Sequence, residues 1–574
     1  MRVLGVNAVF HDPAAALVVD GEVVAAAEEE RFSRRKHGKD PVPFSTWELP
    51  VQAARWCLEQ AGLEPADLDA VAYSYDPELA TPPGADLTES EWEGLRTLFV
   101  RRAPRFLQTA LPGLDPGRVS FVAHHMAHAA SAHLASPHPS SAVLVVDGRG
   151  ERGSFLAGHA RADGSLEVLA TQDLPHSLGL MYEELTAHLG FRRSSDEYKV
   201  MAMASYGRPA WLDAFRGLVA ARPDGGFTAE PVPWADFAPA LRAGEEWRPE
   251  HADLASTVQR RLEEVLVDLA RWVHERTGEA ALTMAGGVAL NCVANSRIWR
   301  ETPFEHVWVQ PASGDSGTAL GAALRVAADL GDDVRPMGTA ALGRGWGDEE
   351  LAGWLERAGV VFDRPDDICE TVAECLAGDG IVAWFQGRAE FGPRALGHRS
   401  LLADPRNPDN LERLNDVKGR EQFRPVAPMV LAEEAPAIFS GGPIPSPYML
   451  FTHDVAEPWR ARIPTVVHVD GTARIQTVDR AESPLMHRVI EGFAARTGVP
   501  VVVNTSLNTA GRPMVDDPRD ALECLGSAPV DLLAIGPFAV RRRVPARGRR
   551  FAREDGRATE AVERGAVAPG AGRE

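Results

Sequence analysis

Short apolar runs typical of strands alternate with the amphipathic pattern typical of helices along residues 1–345, which we call the front half of the chain. Buried strands are predicted at short apolar runs such as VLGVNAV, LDAVAYSY and SSAVLVVDGRG. Amphipathic helices are predicted at VQAARWCLEQAGL and at STVQRRLEEVLVDLARWVHERTG, where Gly278 ends the helix. Alternation of strands and helices in this manner predicts a layered α/β domain. No internal repeat is visible in the order of the residues.

The amino terminus has the pattern of a β-hairpin. Two strand-like runs in AAALVVDGEVVAAA are joined by Asp20 and Gly21, residues that favour a tight turn. The opening residues lack the basic start and continuous apolar core of a signal peptide. No stretch reaches the ~20 apolar residues that a membrane-spanning helix needs. We therefore expect a soluble, cytoplasmic protein without a membrane partner.

A domain boundary is predicted near residue 345. There the pattern weakens into AADLGDDVRPMGTAALGRGWGDEE, where glycine, aspartate and proline are frequent. A second mixed α/β region is predicted at 346–545, the rear half, with strands at GIVAWFQG and GVPVVVNTS. Residues 546–574 lack apolar periodicity, which predicts a disordered tail.

Charge and cysteine content narrow the function. The net charge of −21 over 574 residues argues against nucleic acid or an anionic membrane as the main partner. A local basic pocket for a small anion remains compatible with this charge. The five cysteines include no CxxC pair, which suits a reducing cytoplasm and excludes a thiolate metal site of that type.

Histidines are concentrated in one segment, VAHHMAHAASAHLASPH, which carries five of the 17 in the chain. If this segment is helical, His124 and His128 lie four residues apart on one face and can bind one metal ion. The HExxH motif of metalloproteases is absent because His125 stands where its glutamate would be. We assign His133 and His138 to a loop.

Further metal ligands are expected to be carboxylates. Asp147 and Asp315 each follow a strand-like run, where side chains of α/β sheets commonly face a ligand. Two histidines with one or two carboxylates suit Fe(II), Mn or Zn, and spacing alone does not choose among them. An alternative stays open, in which the histidines are core or capping residues and the acids belong to turns.

Several glycine-containing segments are candidates for phosphate binding. The loops DGRG and AGGVALN can bring backbone amides close to a phosphate, and Gly179 lies at a predicted helix start. Each signal is weak alone, because such glycines also serve helix–strand packing. In EEERFSRRKHGKD most basic residues are expected to be solvated, although one lysine could reach a phosphate.

The sequence of the rear half gives a stronger indication of an anion-binding site. Arginines and amides stand among glycines and apolar residues in FQGRAEFGPRALGHRSLL, VKGREQFRPVAP and VVVNTSLNTAGRP. They are Arg388, Arg394, Arg399, Lys418, Arg424, Asn504 and Ser506. In so acidic a chain this pattern indicates a pocket for a phosphorylated metabolite. Surface arginines paired with surplus carboxylates are the alternative.

Ten segments, in order over residues 1–540, resemble the O-carbamoyltransferases of antibiotic and nodulation-factor biosynthesis (the NodU and TobZ type). They are FHDPAAALVVDG, AEEERFSRRKHG, HHMAHAASA, VVDGRGE, SLGLMYEELT, MAGGVALN, ASGDSGTALGAA, GRAEFGPRALGHRSLL, KGREQFRPVAP and NTSLN. The resemblance implies a front domain similar to tRNA threonylcarbamoyl transferases of the actin-like and sugar-kinase (ASKHA) superfamily. It implies a YrdC-like α/β rear domain.

The resemblance also implies a two-stage reaction. The rear domain would convert carbamoyl phosphate and ATP to carbamoyl adenylate, and Arg394, Lys418, Arg424, Asn504 and Ser506 match its carbamoyl-phosphate site. The front domain would then transfer the carbamoyl group to the hydroxyl of a small-molecule natural product. ATP, a divalent metal (usually iron) and Mg are the implied cofactors, and a homodimer is compatible with the family.

Residue roles in the front domain follow from the same resemblance. The metal motif matches His124, His128, Asp147 and Asp315. Nucleotide contacts match Lys36, Asp147, Gly179 and Gly287. His11 is the implied general base, since a neutral imidazole can take the proton of an attacking hydroxyl.

Other functions stay open on the sequence. Between Val6 and His11 the chain has only NAVF, without the insert of aminoglycoside-modifying members, which argues against an aminoglycoside acceptor. Residues 222–252 match no motif, and we expect them to shape the acceptor pocket. A tRNA threonylcarbamoyl transferase, an ASKHA kinase and a non-catalytic metal-binding protein are the alternatives; the net charge argues against a tRNA surface.

Overall fold

The computed structural model describes residues 1–38, 48–80, 87–509 and 511–542. The tail predicted at 546–574 lies outside the described residues. Among those that are described, every helix is too short or too polar to traverse a lipid bilayer.

The first sheet of the front half begins with the predicted hairpin. Its strands are β1 (Arg2–Asn7), β2 (Ala14–Val19), β3 (Glu22–Glu28), β4 (Ala70–Tyr73) and β5 (Val119–Phe121). Their order is β3-β2-β1-β4-β5, in which β1 to β3 are antiparallel and β4 and β5 run parallel to β1. Asp20 and Gly21 both adopt positive φ at the turn, as the hairpin requires.

The second sheet repeats this topology. Its strands are β6 (Ser141–Val146), β7 (Gly153–Ala160), β8 (Leu166–Asp173), β11 (Ala281–Ala285) and β12 (His306–Val309). Their order is β12-β11-β6-β7-β8, again with an antiparallel meander and two parallel strands. The two sheets thus form a structural repeat that the sequence does not show. Two segments can form sheets of the same strand order when their patterns of buried and exposed positions match, even if their residues differ. A separate short hairpin consists of β9 (Val219–Ala221) and β10 (Phe227–Ala229).

Ten helices are described in the front half. They are α1 (Glu30–Ser33), α2 (Val51–Ala61), α3 (Leu87–Ala110), α4 (His124–His133), α5 (Leu178–His188), α6 (Glu197–Ala204), α7 (Leu212–Leu218), α8 (Pro249–Thr277), α9 (Cys292–Glu301) and α10 (Ser316–Asp329). The helices predicted at α2 and α8 are confirmed, and Gly278 ends α8 in the left-handed conformation. The histidine-rich segment, for which a helix was only a condition of the argument, is helical as α4. His133, assigned to a loop, is instead the buried last residue of α4.

Helices α4 and α10 form a layer between the two sheets. Helix α10 packs on β1, β2 and β4, whereas α4 packs on β6, β7 and β11, and the two helices pack on each other. Glycines allow this close approach. A Cβ at Gly321 of α10 would lie 1.8 Å from the carbonyl oxygen of Ala127 in α4. The amino-terminal ends of both helices are thereby held near the carboxyl end of β6.

The rear half contains a seven-stranded mixed sheet in the order β19-β15-β20-β14-β13-β21-β22. These strands are β13 (Val382–Phe385), β14 (Arg399–Ala403), β15 (Ala427–Leu431), β19 (Gln476–Val478), β20 (Val501–Ser506), β21 (Leu532–Ile535) and β22 (Phe538–Arg541). A small sheet is formed by β16 (Phe439–Ser440), β17 (His453–Val455) and β18 (Thr472–Ala473).

Seven described helices accompany these sheets. They are α11 (Asp348–Arg357), α12 (Ile368–Ala377), α13 (Asn410–Val417), α14 (Ala435–Ile438), α15 (Glu457–Arg460), α16 (Pro484–Thr497) and α17 (Pro518–Ser527). A large apolar cluster that includes Trp384, Phe385 and Phe493 fills the core of the rear half. The predicted α/β class is confirmed, and the paired sheets of the front half agree with the ASKHA-like architecture that the resemblance implied.

Charged side chains join the two halves. Arg31 is buried, donates to the carbonyl of Gly392 at 2.9 Å and lies 3.4 Å from Glu28. Arg34 donates to the carbonyls of Met514 and Pro513. The prediction that most of this basic segment is solvated is therefore wrong for these two residues, which anchor it to the rear half.

Candidate active site

Four candidate metal ligands from three elements meet at one point. His124 and His128 lie one turn apart on α4, Asp147 directly follows β6, and Asp315 directly precedes α10. One ligand atom from each side chain lies within 4.8 Å of the others. Nε2 of His124 is 3.4 Å from Asp147 and 3.7 Å from Asp315, and Nε2 of His128 is 3.8 and 3.7 Å from them.

All four side chains are buried, yet within the part of the chain that the structure describes several of their polar atoms have no hydrogen-bond partner. These atoms are Nε2 of His124, both ring nitrogens of His128 and Oδ2 of Asp315. Burial lowers the pKa of His124, but the carboxylates of Asp147 and Asp315 raise it to about 9. Burial raises the pKa of Asp147, and the facing His124 and His125 hold it well below its usual range. Buried polar atoms without partners are rare in folded proteins and require a cause.

Neighbouring groups orient these ligands. Nδ1 of His124 donates to the carbonyl of Ser74 at 3.3 Å, so Nε2 is the nitrogen that faces the two aspartates and that would bind a cation after losing its proton. The backbone N–H of Gly287 donates to Oδ1 of Asp147 at 2.9 Å, and the N–H of His124 donates to Glu151 at 2.8 Å. Sequence reasoning missed Glu151, although it closes the quoted motif VVDGRGE.

This donor set fits a divalent cation. Two neutral imidazoles and two carboxylates are typical ligands of iron, manganese and zinc. A bound cation would supply the partner that Nε2 of His124 and Nε2 of His128 lack among the described residues. His125 approaches Asp147 only to 3.8 Å and stands outside the four-residue cluster.

His11 lies beside this cluster on a turn that other side chains hold in place. Nε2 of His11 is 3.7 Å from Oδ2 of Asp315, and Nδ1 donates to Asp12 at 3.0 Å. Nδ1 of His37 donates to the other oxygen of Asp12 at 2.6 Å. Asp12 and His37 have positive φ values of 51° and 57°, an uncommon conformation for side chains of this size. Asn7 donates to the carbonyls of His11 and Asp12.

One cavity of about 850 Å³ is lined by residues of both halves. The predicted site residues that line it from the front half are His11, Lys36, Asp147, Gly179, Gly287 and Asp315. His124 and His128 are not among its lining residues. Gly179 is required by packing, because a Cβ there would lie 2.6 Å from the backbone nitrogen of Gly148.

From the rear half the cavity is lined by Arg394, Lys418, Arg424, Asn504 and Ser506. Nζ of Lys418 donates to the hydroxyl of Ser506 at 2.9 Å, and burial with the nearby Arg420 and Arg424 lowers its pKa well below the usual range. Burial and Arg474 lower the pKa of Arg394 to about 9. Repelling cations that converge in this way indicate an anion site.

The structure corrects the membership of this anion cluster. Arg388 and Arg399 do not line the cavity; they donate to backbone carbonyls, Arg388 to Gly343 and Arg399 to Gln386. The sequence analysis missed other lining residues of the cluster. They are Arg420, His468, Arg474, Asn508 and Arg512. The GR pair in VKGREQFRP was a signal for Arg420, whereas Arg474 lies in a segment without a motif.

Residues 222–252, expected to shape the acceptor pocket, contribute no lining residue to this cavity. Their Trp247 instead packs against Tyr206 and Phe423, with ring centroids 5.7 and 6.2 Å apart. The expectation is therefore wrong for the cavity that holds the candidate site.

In comparison with known proteins, two family models match this chain. "Carbamoyltransferase N-terminus" matches residues 2–324 and "Carbamoyltransferase C-terminus" matches residues 373–542. The nodulation protein NolNO of Sinorhizobium fredii is 37% identical over 94% of this chain and 80% of its own length. The 3'-hydroxymethylcephem-O-carbamoyltransferase of Amycolatopsis lactamdurans is 33% identical over 72% of this chain and 79% of its own length.

Among solved structures, an activator of 2-hydroxyisocaproyl-CoA dehydratase from Clostridium difficile aligns with 59% of this chain and with all of its own. The TM-score is 0.33 and the identity 13%. A likeness this slight leaves the architecture to be judged from the strand order alone.

Proposed function

Because the chain belongs to the carbamoyltransferase family, we propose that it activates a carbamoyl group with ATP and transfers it to a hydroxyl of a small natural product. Enzymatic carbamoyl transfer follows from the family itself. The use of ATP and carbamoyl phosphate, the adenylate intermediate and the class of acceptor are the proposed parts. We also propose the cytoplasm as the place of the reaction.

One observation carries the proposal: a single cavity is lined both by the metal-ligand aspartates and by the cationic cluster. An activated carbamate reacts readily with water, so both stages benefit from one enclosed space. A cavity of about 850 Å³ has the volume of a site that holds a nucleotide and a small acceptor.

We assign the first stage to the YrdC-like rear half. In it, water cleaves carbamoyl phosphate to carbamate and phosphate, and a carbamate oxygen then attacks the α-phosphorus of ATP, which gives carbamoyl adenylate and releases pyrophosphate. Arg394, Lys418 and Arg424 would bind the phosphate of carbamoyl phosphate, because arginine and lysine pair with phosphate oxygens. Ser506 would complete this site through its hydroxyl. Asn504 is almost fully buried and donates to the carbonyl of Ala395 at 2.8 Å, which supports the wall of the site.

The second stage is assigned to the front half. His11 would take the proton of the acceptor hydroxyl through Nε2, since Nδ1 donates to Asp12. Lys36 would neutralise phosphate charge of the adenylate. It lines the cavity and makes no hydrogen bond or ion pair with any residue that the structure describes. The hydroxyl oxygen then attacks the carbamoyl carbon, and the bond between that carbon and the AMP oxygen breaks.

The four-residue cluster would hold the metal. His124, His128, Asp147 and Asp315 present the donors, and we propose iron as the ion, with Mg accompanying ATP. Bound at these donors, a divalent ion supplies Lewis-acid stabilisation of negative charge. The family resemblance favours iron; the donor set also suits manganese and zinc.

The acceptor class is proposed from the relatives' names. One relative is named for nodulation and another for O-carbamoylation of a hydroxymethylcephem. Both names are compatible with an alcohol of a secondary metabolite. A tRNA threonylcarbamoyl transferase or an ASKHA-superfamily kinase would share the front-half motifs, so the test must separate all three.

The test is turnover with ATP, carbamoyl phosphate and a panel of natural-product alcohols. We expect AMP by chromatography and a product heavier by one carbamoyl group by mass spectrometry. His124→Ala should abolish transfer and leave the adenylate-forming stage intact. His138→Ala is the matched control, because the ring of His138 stacks on that of His306, with centroids 5.3 Å apart, and His138 belongs neither to the metal cluster nor to the lining of the cavity. Release of ADP instead of AMP, or binding of tRNA that weakens with salt, would overturn the proposal.

A further inference from the structure

The loop of residues 418–424 carries two of the proposed carbamoyl-phosphate ligands and is contacted by the front half. We infer that Tyr198 and Lys199 of the front half are positioning residues for the carbamoyl-phosphate site of the rear half. The inference rests on the proposed function for the identity of the anion. It goes beyond that function, because no residue of the front half was assigned to the first stage.

Tyr198 holds the guanidinium group of Arg424. The centre of that group lies 4.5 Å from the centroid of the Tyr198 ring, and both residues line the cavity. Within the described part of the chain, the other side-chain partner of this group is Glu421, at 3.5 Å. An arginine over an aromatic face is attracted to it and keeps its donor edge free for an anion.

Lys199 holds the same loop through Glu421. Its Nζ lies 2.9 Å from Oε1 of Glu421 and 3.1 Å from Oδ2 of Asp196. The Lys199 side chain is 14% exposed and that of Glu421 is 36% exposed, so solvent screens this pair on the Glu421 side only. Asp196, Lys199, Glu421 and Arg424 thus form one chain of alternating charges from front half to rear half.

An aromatic cluster also contacts the loop. Tyr206, Trp247 and Phe423 pack together with ring centroids 5.7 to 6.4 Å apart. The hydroxyl of Tyr206 donates to the carbonyl of Phe423 at 3.3 Å. Through the contacts of Trp247 with Tyr206 and Phe423, residues 222–252 help to support the loop.

External support is needed because the loop gathers like charges. Burial and the charge of Arg424 lower the pKa of Arg420 to about 9, so these groups repel before an anion binds. Without the contacts to Tyr198 and Glu421, Arg424 would turn towards solvent. The front half should therefore set the affinity of the rear site for its anion.

The experiment compares Tyr198→Leu with Tyr198→Phe in the full chain, with steady-state kinetics in carbamoyl phosphate, ATP and acceptor. Tyr198→Phe keeps the ring and loses the hydroxyl contact to Asp196. We expect Tyr198→Leu to raise KM for carbamoyl phosphate about tenfold, with Tyr198→Phe within about twofold of the unchanged enzyme. KM for the acceptor should stay unchanged in both variants.

A second pair tests the loop without touching the ring. Lys199→Met and Glu421→Gln should each raise KM for carbamoyl phosphate about threefold, and the double variant should be no worse than either. Equal changes in KM for all substrates, or equal effects of Leu and Phe at position 198, would overturn the inference. Thermal unfolding shows whether each variant is folded.

Inorganic phosphate separates failure of the inference from failure of the proposed function. If the unchanged enzyme released no AMP but Tyr198→Leu alone weakened phosphate binding by calorimetry, the positioning role would stand without the proposed reaction. If the enzyme turned over and Tyr198→Leu left both phosphate binding and KM unchanged, the positioning role would be wrong.

Discussion

Replacing Asp12 by asparagine tests the proposed role of His11 most directly. Burial raises the pKa of Asp12, but the facing His37 and His11 hold it well below its usual range, so the side chain is an anion. Its two oxygens accept from two imidazole nitrogens, at 2.6 Å from His37 and at 3.0 Å from His11. Asparagine has the same shape but only one accepting oxygen.

The geometry predicts which contact is lost. The shorter bond to His37 keeps the amide oxygen, so the amide NH₂ turns towards Nδ1 of His11. That nitrogen must then accept, which moves the ring proton to Nε2 and removes the base facing the acceptor. General-base catalysis contributes about 10²–10⁴ in rate, so we expect Asp12→Asn to slow transfer at least about 100-fold.

The assay is a single turnover. Enzyme is allowed to form the adenylate from ATP and carbamoyl phosphate, acceptor is added, and carbamoylated product is followed by mass spectrometry. Formation of the adenylate and the metal content should match those of the unchanged enzyme. His37→Gln leaves the contact between Asp12 and His11 and should slow transfer less than about tenfold. Transfer by Asp12→Asn within threefold of the unchanged rate would refute the reasoning.

Three further predictions follow from other parts of the structure. His128→Ala should lower metal affinity at least about 100-fold, as measured by competition with a chelator, whereas His133→Ala should leave it unchanged. Because the pKa of Lys418 is lowered by burial and neighbouring cations, binding of phosphate at about pH 8 should raise it and take up a proton. Calorimetry in buffers of different ionisation enthalpy measures this uptake, which Lys418→Met should reduce. Gly286→Ala should lower the free energy of unfolding, measured in urea, by about 2–4 kcal/mol. Gly286 has φ +94°, and the new Cβ would lie 2.2 Å from the carbonyl oxygen of Val146. As a control, Gly278→Ala should lower it by only about 1 kcal/mol, because Gly278 has φ +66° and open space around the new Cβ.

The sequence by itself determined the local elements and the types of chemistry. Hydrophobic periodicity predicts the hairpin at Asp20 and helix α8, because the pattern of burial within one element follows directly from consecutive residues. The HxxxH spacing likewise places His124 and His128 on one face of α4, since neighbours one helical turn apart share a face.

Only the tertiary structure decided which groups meet. Asp315 reaches the histidines because α10 and α4 pack in one layer, and Arg31 is buried because a rear-half loop covers it. The contacts of Asp12 with His37 and of Tyr198 with Arg424 join segments far apart in the chain. Hydrophobic periodicity shows which face of one segment is buried. It does not show which other segment packs against that face, because many different residues would bury it equally well. That choice depends on the order of the strands and on the packing of the layers.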